Sequence, residues 1–238
     1  MTEEDWLTHS EPATLLAYLR GKTSERKLRL FAAGCCRKSW DIIPPTRSRY
    51  AVQVAEFHAD HLAREDELLE AWRKAAAFAL RVDPAERDGA YAAAFTAFNG
   101  FEDDTFSVGP MWERFQHATL IDWVREVSRF LVERPFDPES QHSSRALRVA
   151  ERFDQCDLLR DIFGNPFQPL PFDPHWLTAN VTDLSRTIYD ERAFERLPIL
   201  SDALMDAGCA EETVLAHCRS ELPHARGCWL IDRILGMG

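Results

Sequence analysis

Apolar residues recur at helical spacing along almost the whole chain, and no run alternates with period two for long enough to require a strand. That property alone sets the expectation of helices packed on helices. Leu28, Phe31, Ala32, Cys35 and Ser39 fall in one sector of a helix, with Arg26, Arg29 and Arg37 on the far side. Leu120, Val124, Val127 and Leu131 form a second stripe, and Leu177, Val181, Leu184 and Ile188 a third. Tyr91, Phe95 and Phe98 make a fourth inside an Ala-rich stretch.

The breaks between stripes carry helix start and stop signals. Asp83-Pro84, Asp137-Pro138 and Asp173-Pro174 each offer a capping carboxylate followed by proline at the first helical position. Thr46, and Thr2 with Asp5 three residues on, are further caps. Gly21, Gly164, Gly208 and Gly236 sit just beyond apolar stripes, where a helix end calls for positive φ. The expectation is an all-α, multi-helix bundle of roughly nine or ten helices. It forms one helical domain over 1–238, open to division into two lobes, 1–99 and 111–238. The boundary would be the irregular stretch Asn99 to Pro110, and Phe167 to Pro174 is a second, proline-rich connector. The last three helices, expected near 197–207, 211–219 and 223–235, are short and closely spaced, which hints at a solenoid-like end without a repeat period to establish one.

Composition narrows the function classes. At 238 residues, with 45% hydrophobic and 28% charged residues, disorder is not the default. No apolar run reaches the roughly 18 residues of a membrane helix, and the acidic start Met-Thr-Glu-Glu-Asp-Trp is unlike a signal peptide, so a cytoplasmic location is expected. The six cysteines then read as thiols or metal ligands rather than disulfides.

The net charge of -11 argues against general affinity for nucleic acid or an anionic membrane. Between Arg20 and Arg49, however, nine basic residues face two acidic ones, a local +7. This segment, through Arg26, Arg29 and Arg37, is a candidate surface for another protein with an acidic face; the alternative is that it docks on the chain's own acidic remainder.

The sharpest chemical feature is a run of five thiol and imidazole groups: Cys209, His217, Cys218, His224 and Cys228. Zinc takes four such ligands in tetrahedral geometry, usually from two pairs. His224 and Cys228, four apart, could share one helix face, whereas the adjacent His217 and Cys218 would point about 100° apart and are poorly placed for the same ion. The spacing matches no standard finger and lacks a Cys-x-x-Cys knuckle. The competing reading makes the cysteines small buried hydrophobes and places the histidines at helix ends.

Cys35-Cys36 and the group Glu56, His58, Asp60, His61 are weaker candidates, read as core and as a surface helix. Gly21-Lys22-Thr23 lacks the first glycine of a phosphate loop, and no nucleophile elbow, kinase set, dinucleotide fingerprint or deaminase pattern is present. The seven tryptophans read as core or core edge.

Five segments are distinctive together: Arg20-Gly-Lys-Thr-Ser-Glu-Arg-Lys-Leu-Arg-Leu-Phe-Ala-Ala-Gly-Cys-Cys-Arg-Lys, Leu159-Arg-Asp-Ile-Phe-Gly-Asn-Pro-Phe, Leu197-Pro-Ile-Leu-Ser-Asp-Ala-Leu-Met-Asp-Ala-Gly-Cys, His217-Cys-Arg and His224-Ala-Arg-Gly-Cys-Trp. They resemble a bacterial protein family of unknown function that expands into many copies in planctomycetes. The resemblance covers residues 2–62 and 158–238 and implies a folded bacterial cytoplasmic protein. It implies no activity, cofactor or catalytic residue.

Two readings follow from the residues. The first is a non-catalytic interaction or scaffold protein using the basic 20–49 segment. The second is a zinc-binding protein centred on the C-terminal Cys/His cluster. No catalytic motif supports an enzyme.

Overall fold

Thr2 and Asp5 exchange hydrogen bonds across the first turn of the first helix. Asp5 N–H donates to Thr2 Oγ1 at 3.1 Å, and Thr2 N–H donates to the Asp5 carboxylate at 2.7 Å. The computed structural model describes residues 1–99, 119–132, 144–168 and 172–237, with the side chains of 144–147 outside that description. Among the described residues there are twelve α-helices and no strand. They are α1 (Glu3–Thr8), α2 (Pro12–Leu19), α3 (Glu25–Lys38), α4 (Arg47–Ala59), α5 (Glu65–Ala79) and α6 (Arg87–Ala97). After these come α7 (Leu120–Val132), α8 (Ser144–Phe163), α9 (Ala179–Glu191), α10 (Leu197–Asp206), α11 (Glu212–Cys218) and α12 (Trp229–Leu235). The all-α bundle is the fold, and no helix among the described residues is long and apolar enough to cross a membrane.

Helix stops fall where the glycines predict them. Gly21, Gly164, Gly208 and Gly236 all adopt positive φ, between 65° and 87°. The proline starts divide. Asp173 accepts from His175 N–H at 2.9 Å and caps a short 3-10 turn, but Asp83-Pro84 only opens a turn, and α6 begins later at Arg87. Asp137-Pro138, Trp112 and most of the Asn99–Pro110 stretch lie outside the described residues.

The contacts divide the chain into two compact units, one of His9–Cys156 and one of Met1–Thr8 with Asp157–Gly238. The division differs from the boundary expected between 99 and 111, because α7 packs on α2, α3 and α6 and so belongs with the N-terminal helices, while the short α1 belongs with the C-terminal part. Trp6 is fully buried there, its indole N–H donating to Gly164 O at 3.0 Å while Arg160 donates to Trp6 O at 3.0 Å.

In the larger unit α6 is central, touching α3, α4, α5 and α7. Its alanines let these neighbours approach, and every residue from Gly89 to Ala97 is buried. At Gly89 a side chain would run into Ile42 O. Phe95 and Phe98 pack against Trp123 as tilted rings, with centroids 5.1 and 4.0 Å away.

Helix α3 departs from the amphipathic expectation. It is buried continuously from Leu28 to Cys36, including Arg29, because α4, α6 and α7 all pack on it.

The smaller unit has its own apolar core, built from Val181, Ile188, Leu197, Leu200, Leu204, Val214, Leu230 and Ile231 among others. Helix α10 packs on α9 and on α11, and α9 also packs on α12. That last contact closes the set, so this end is a small bundle rather than the open stack of a solenoid, in which each element meets only its neighbours.

Candidate metal centre

The third of the short C-terminal helices starts six residues later than its apolar pattern predicts, at Trp229 instead of 223. Cys228 N–H bonds to Ala225 O at 3.0 Å, and Gly227 takes φ +90°, so residues before Trp229 form a turn and not a helix. His224 therefore lies in a loop and Cys228 at the N-cap of α12, and they do not share a helix face. The two still converge, because the turn folds them onto the end of α8.

The residue that gathers them is Asp161, in the last turn of α8 and almost fully buried. Its Oδ1 accepts from His224 Nδ1 at 2.6 Å and its Oδ2 from Ala225 N–H at 3.0 Å. His217, in the last turn of α11, places Nε2 at 3.1 Å from Cys228 Sγ and 3.5 Å from Asp161 Oδ1. Asp161, His217, His224 and Cys228 each bring a ligand atom to within 4.8 Å of the others, a buried group that could hold a metal ion.

Proton positions follow from the partners. Trp229 Nε1–H, which can only donate, points at His217 Nδ1 at 3.2 Å. His217 Nδ1 is thus an acceptor, and the neutral ring carries its proton on Nε2, toward Cys228 and Asp161. In His224 the carboxylate holds Nδ1–H, leaving Nε2 with its lone pair; this buried atom has no hydrogen-bond partner among the described residues.

Burial lowers His217 to about 4, with Asp161 opposing and His224 assisting that shift. Burial raises the Cys228 thiol well above its ordinary value, and the Asp161 carboxylate adds to the rise.

The His217 shift has a consequence for metal-free protein. The unfolded ring titrates near its ordinary 6.5, so between that pH and about 4 the unfolded state holds the extra proton. The stability that neutral His217 contributes is present above pH 6.5 and is lost as the pH falls toward 4, a change of about 2–3 kcal/mol. With chelator present, urea midpoints measured from pH 7.5 to 4.5 should fall more steeply for wild type than for His217→Phe. Parallel profiles would contradict it.

Of the five sequence candidates, the structure brings His217, His224 and Cys228 together and leaves two elsewhere. Cys209 and Cys218 sit in the apolar core of the smaller unit. Burial pushes the Cys218 thiol up to about 12 and raises Cys209 as well. The adjacent pair separates as helix geometry requires: His217 faces the polar cluster and Cys218 the core.

Asp161 was not among the sequence candidates. Its only signal was its place in Leu159-Arg-Asp-Ile-Phe-Gly-Asn-Pro-Phe, read there as a helix stop. That stop is real, and it also seats the site, since a Cβ at Gly164 would stand 3.2 Å from Trp229 Cγ.

The remaining candidates are occupied within the larger unit. Arg29 is buried and donates to Thr96 O, Phe98 O and Asn99 Oδ1 at 3.1, 3.0 and 2.6 Å. It is therefore no exposed partner contact, as its place on the polar side of the α3 stripe had implied. Arg26 pairs with Asp60 at 3.0 Å, and Arg37 with Glu56 at 2.6 Å while lying over Trp40. Glu56 and Asp60 are thereby paired with arginines of α3. Cys35 and Cys36 are buried, with Cys36 Sγ 3.4 Å from Thr96 Oγ1.

No protein-family model, curated protein or solved structure matches the chain.

Proposed function

We propose that the chain is a zinc-binding protein whose ion is held by Asp161, His217, His224 and Cys228. The observation that carries this reading is the buried convergence of four ligand-type side chains within 4.8 Å of one another. Carboxylate, imidazole and thiolate together suit a borderline-soft ion with no geometric preference of its own, which is the character of zinc.

The donors arrive from the end of α8, the last turn of α11, the loop after it and the N-cap of α12. An ion among them joins segments that are otherwise connected by an irregular loop, so its role here is structural. A reducing, cytoplasmic setting fits the six free thiols that the chain carries. The interaction reading is weaker, because Arg26, Arg29 and Arg37 each already hold an acceptor inside the larger unit.

Elemental analysis of the full chain purified without chelator should return about one zinc per chain. His224→Ala and Cys228→Ser should lose it, and Cys209→Ser and Cys218→Ser should keep it. Metal-free wild type, or metal that survives both site variants, overturns the assignment.

A further inference from the structure

The two hydrogen-bonding edges of His217 do not face equivalent neighbours. Nε2 looks toward Cys228 and Asp161, and Nδ1 receives the indole N–H of Trp229 at 3.2 Å. A histidine that ligates through one nitrogen carries its proton on the other and normally donates it to a carboxylate, carbonyl or water. Here the group beyond Nδ1 is itself a donor and can never accept.

We infer that zinc and the Trp229–His217 hydrogen bond exclude each other, so that filling the site releases the Trp229 indole. This rests on the zinc reading above. When Nε2 gives its lone pair to the ion, the ring proton sits on Nδ1, and two N–H groups would then point at one another. The ring of His217 is tied by the ion, so the indole is the group that moves.

Trp229 is placed to make that movement matter. It is the first residue of α12, and its Cβ and Cγ lie over Gly164 at the end of the helix that supplies Asp161. Gly164 also offers its carbonyl to Trp6, which fastens α1 to the same unit. A change at Trp229 is thus felt at the junction of α1, α8 and α12, and the site becomes a metal-responsive contact.

The test uses the full chain, stripped of metal and titrated with zinc. In wild type with ¹⁵N-labelled indoles, the Trp229 N–H resonance should shift on zinc addition and exchange faster with solvent. Trp229→Phe keeps a ring over Gly164 but removes the competing donor, and should bind zinc about three- to tenfold tighter in chelator competition. A Trp229 resonance unmoved at saturating zinc, or equal or weaker affinity in Trp229→Phe, overturns the exclusion while leaving the zinc site standing. Absence of zinc uptake by wild type overturns the zinc reading itself, and the exclusion with it.

Discussion

Replacing Arg29 with methionine should destabilise the larger unit by about 2–4 kcal/mol, although the new side chain is apolar and enters an apolar setting. Arg29 is 2% exposed. Its guanidinium satisfies the carbonyls of Thr96, in the last turn of α6, and of Phe98 at its C-cap, together with the side chain of Asn99. Those carbonyls belong to the last residues of a helix, where no later amide can reach back to them. Methionine restores the volume but leaves buried acceptors without donors, and each such acceptor costs about 1–3 kcal/mol.

Burial lowers the guanidinium to about 10, which still leaves it charged at neutral pH. Lysine therefore keeps the charge while lacking the fork that reaches three acceptors, and should recover only part of the loss. Urea unfolding of wild type, Arg29→Met and Arg29→Lys measures this directly. A loss below about 1 kcal/mol in Arg29→Met would mean that water reaches those carbonyls.

The second large effect is expected at Trp6. Trp6→Ala should cost the smaller unit about 3–5 kcal/mol, the usual penalty for emptying a fully buried aromatic site. The indole fills a closed space and donates to Gly164 O at 3.0 Å, and the backbone of the same residue accepts from Arg160. Trp6→Phe retains most of the packing and gives up the hydrogen bond, so about 1 kcal/mol is expected from that loss alone. Because α1 has only six residues, its helicity depends on this docking. Backbone amide exchange across α1 and the end of α8 should accelerate together in Trp6→Ala. Fast exchange confined to α1 would show that the C-terminal part holds without it.

Periodicity and caps made the helical class legible, and the reason is local: a 3.6-residue repeat and a left-handed glycine are properties of a few consecutive residues. The same local logic explains why adjacent His217 and Cys218 part company. It could not separate Cys228 from Cys209 and Cys218, three buried thiols of one type, since their difference lies in what approaches from other elements.

Arg29 was misplaced for the same reason. A stripe in α3 shows which face is most apolar but not how many neighbours a helix has, and α4, α6 and α7 together leave almost no outer face on its middle turns. The centre of the candidate site was hidden more deeply. Asp161 stands 63 residues before His224, inside a segment whose glycine and proline already accounted for a helix end.

Residue order alone thus determined that this chain is helical, where most helices stop, and that its C-terminal end is rich in imidazole and thiol. Only the tertiary structure decided which of those groups meet. Carboxylate, imidazole and thiol are brought together by long-range packing, through the docking of α8 against the turn before α12, and no short-range spacing encodes that approach.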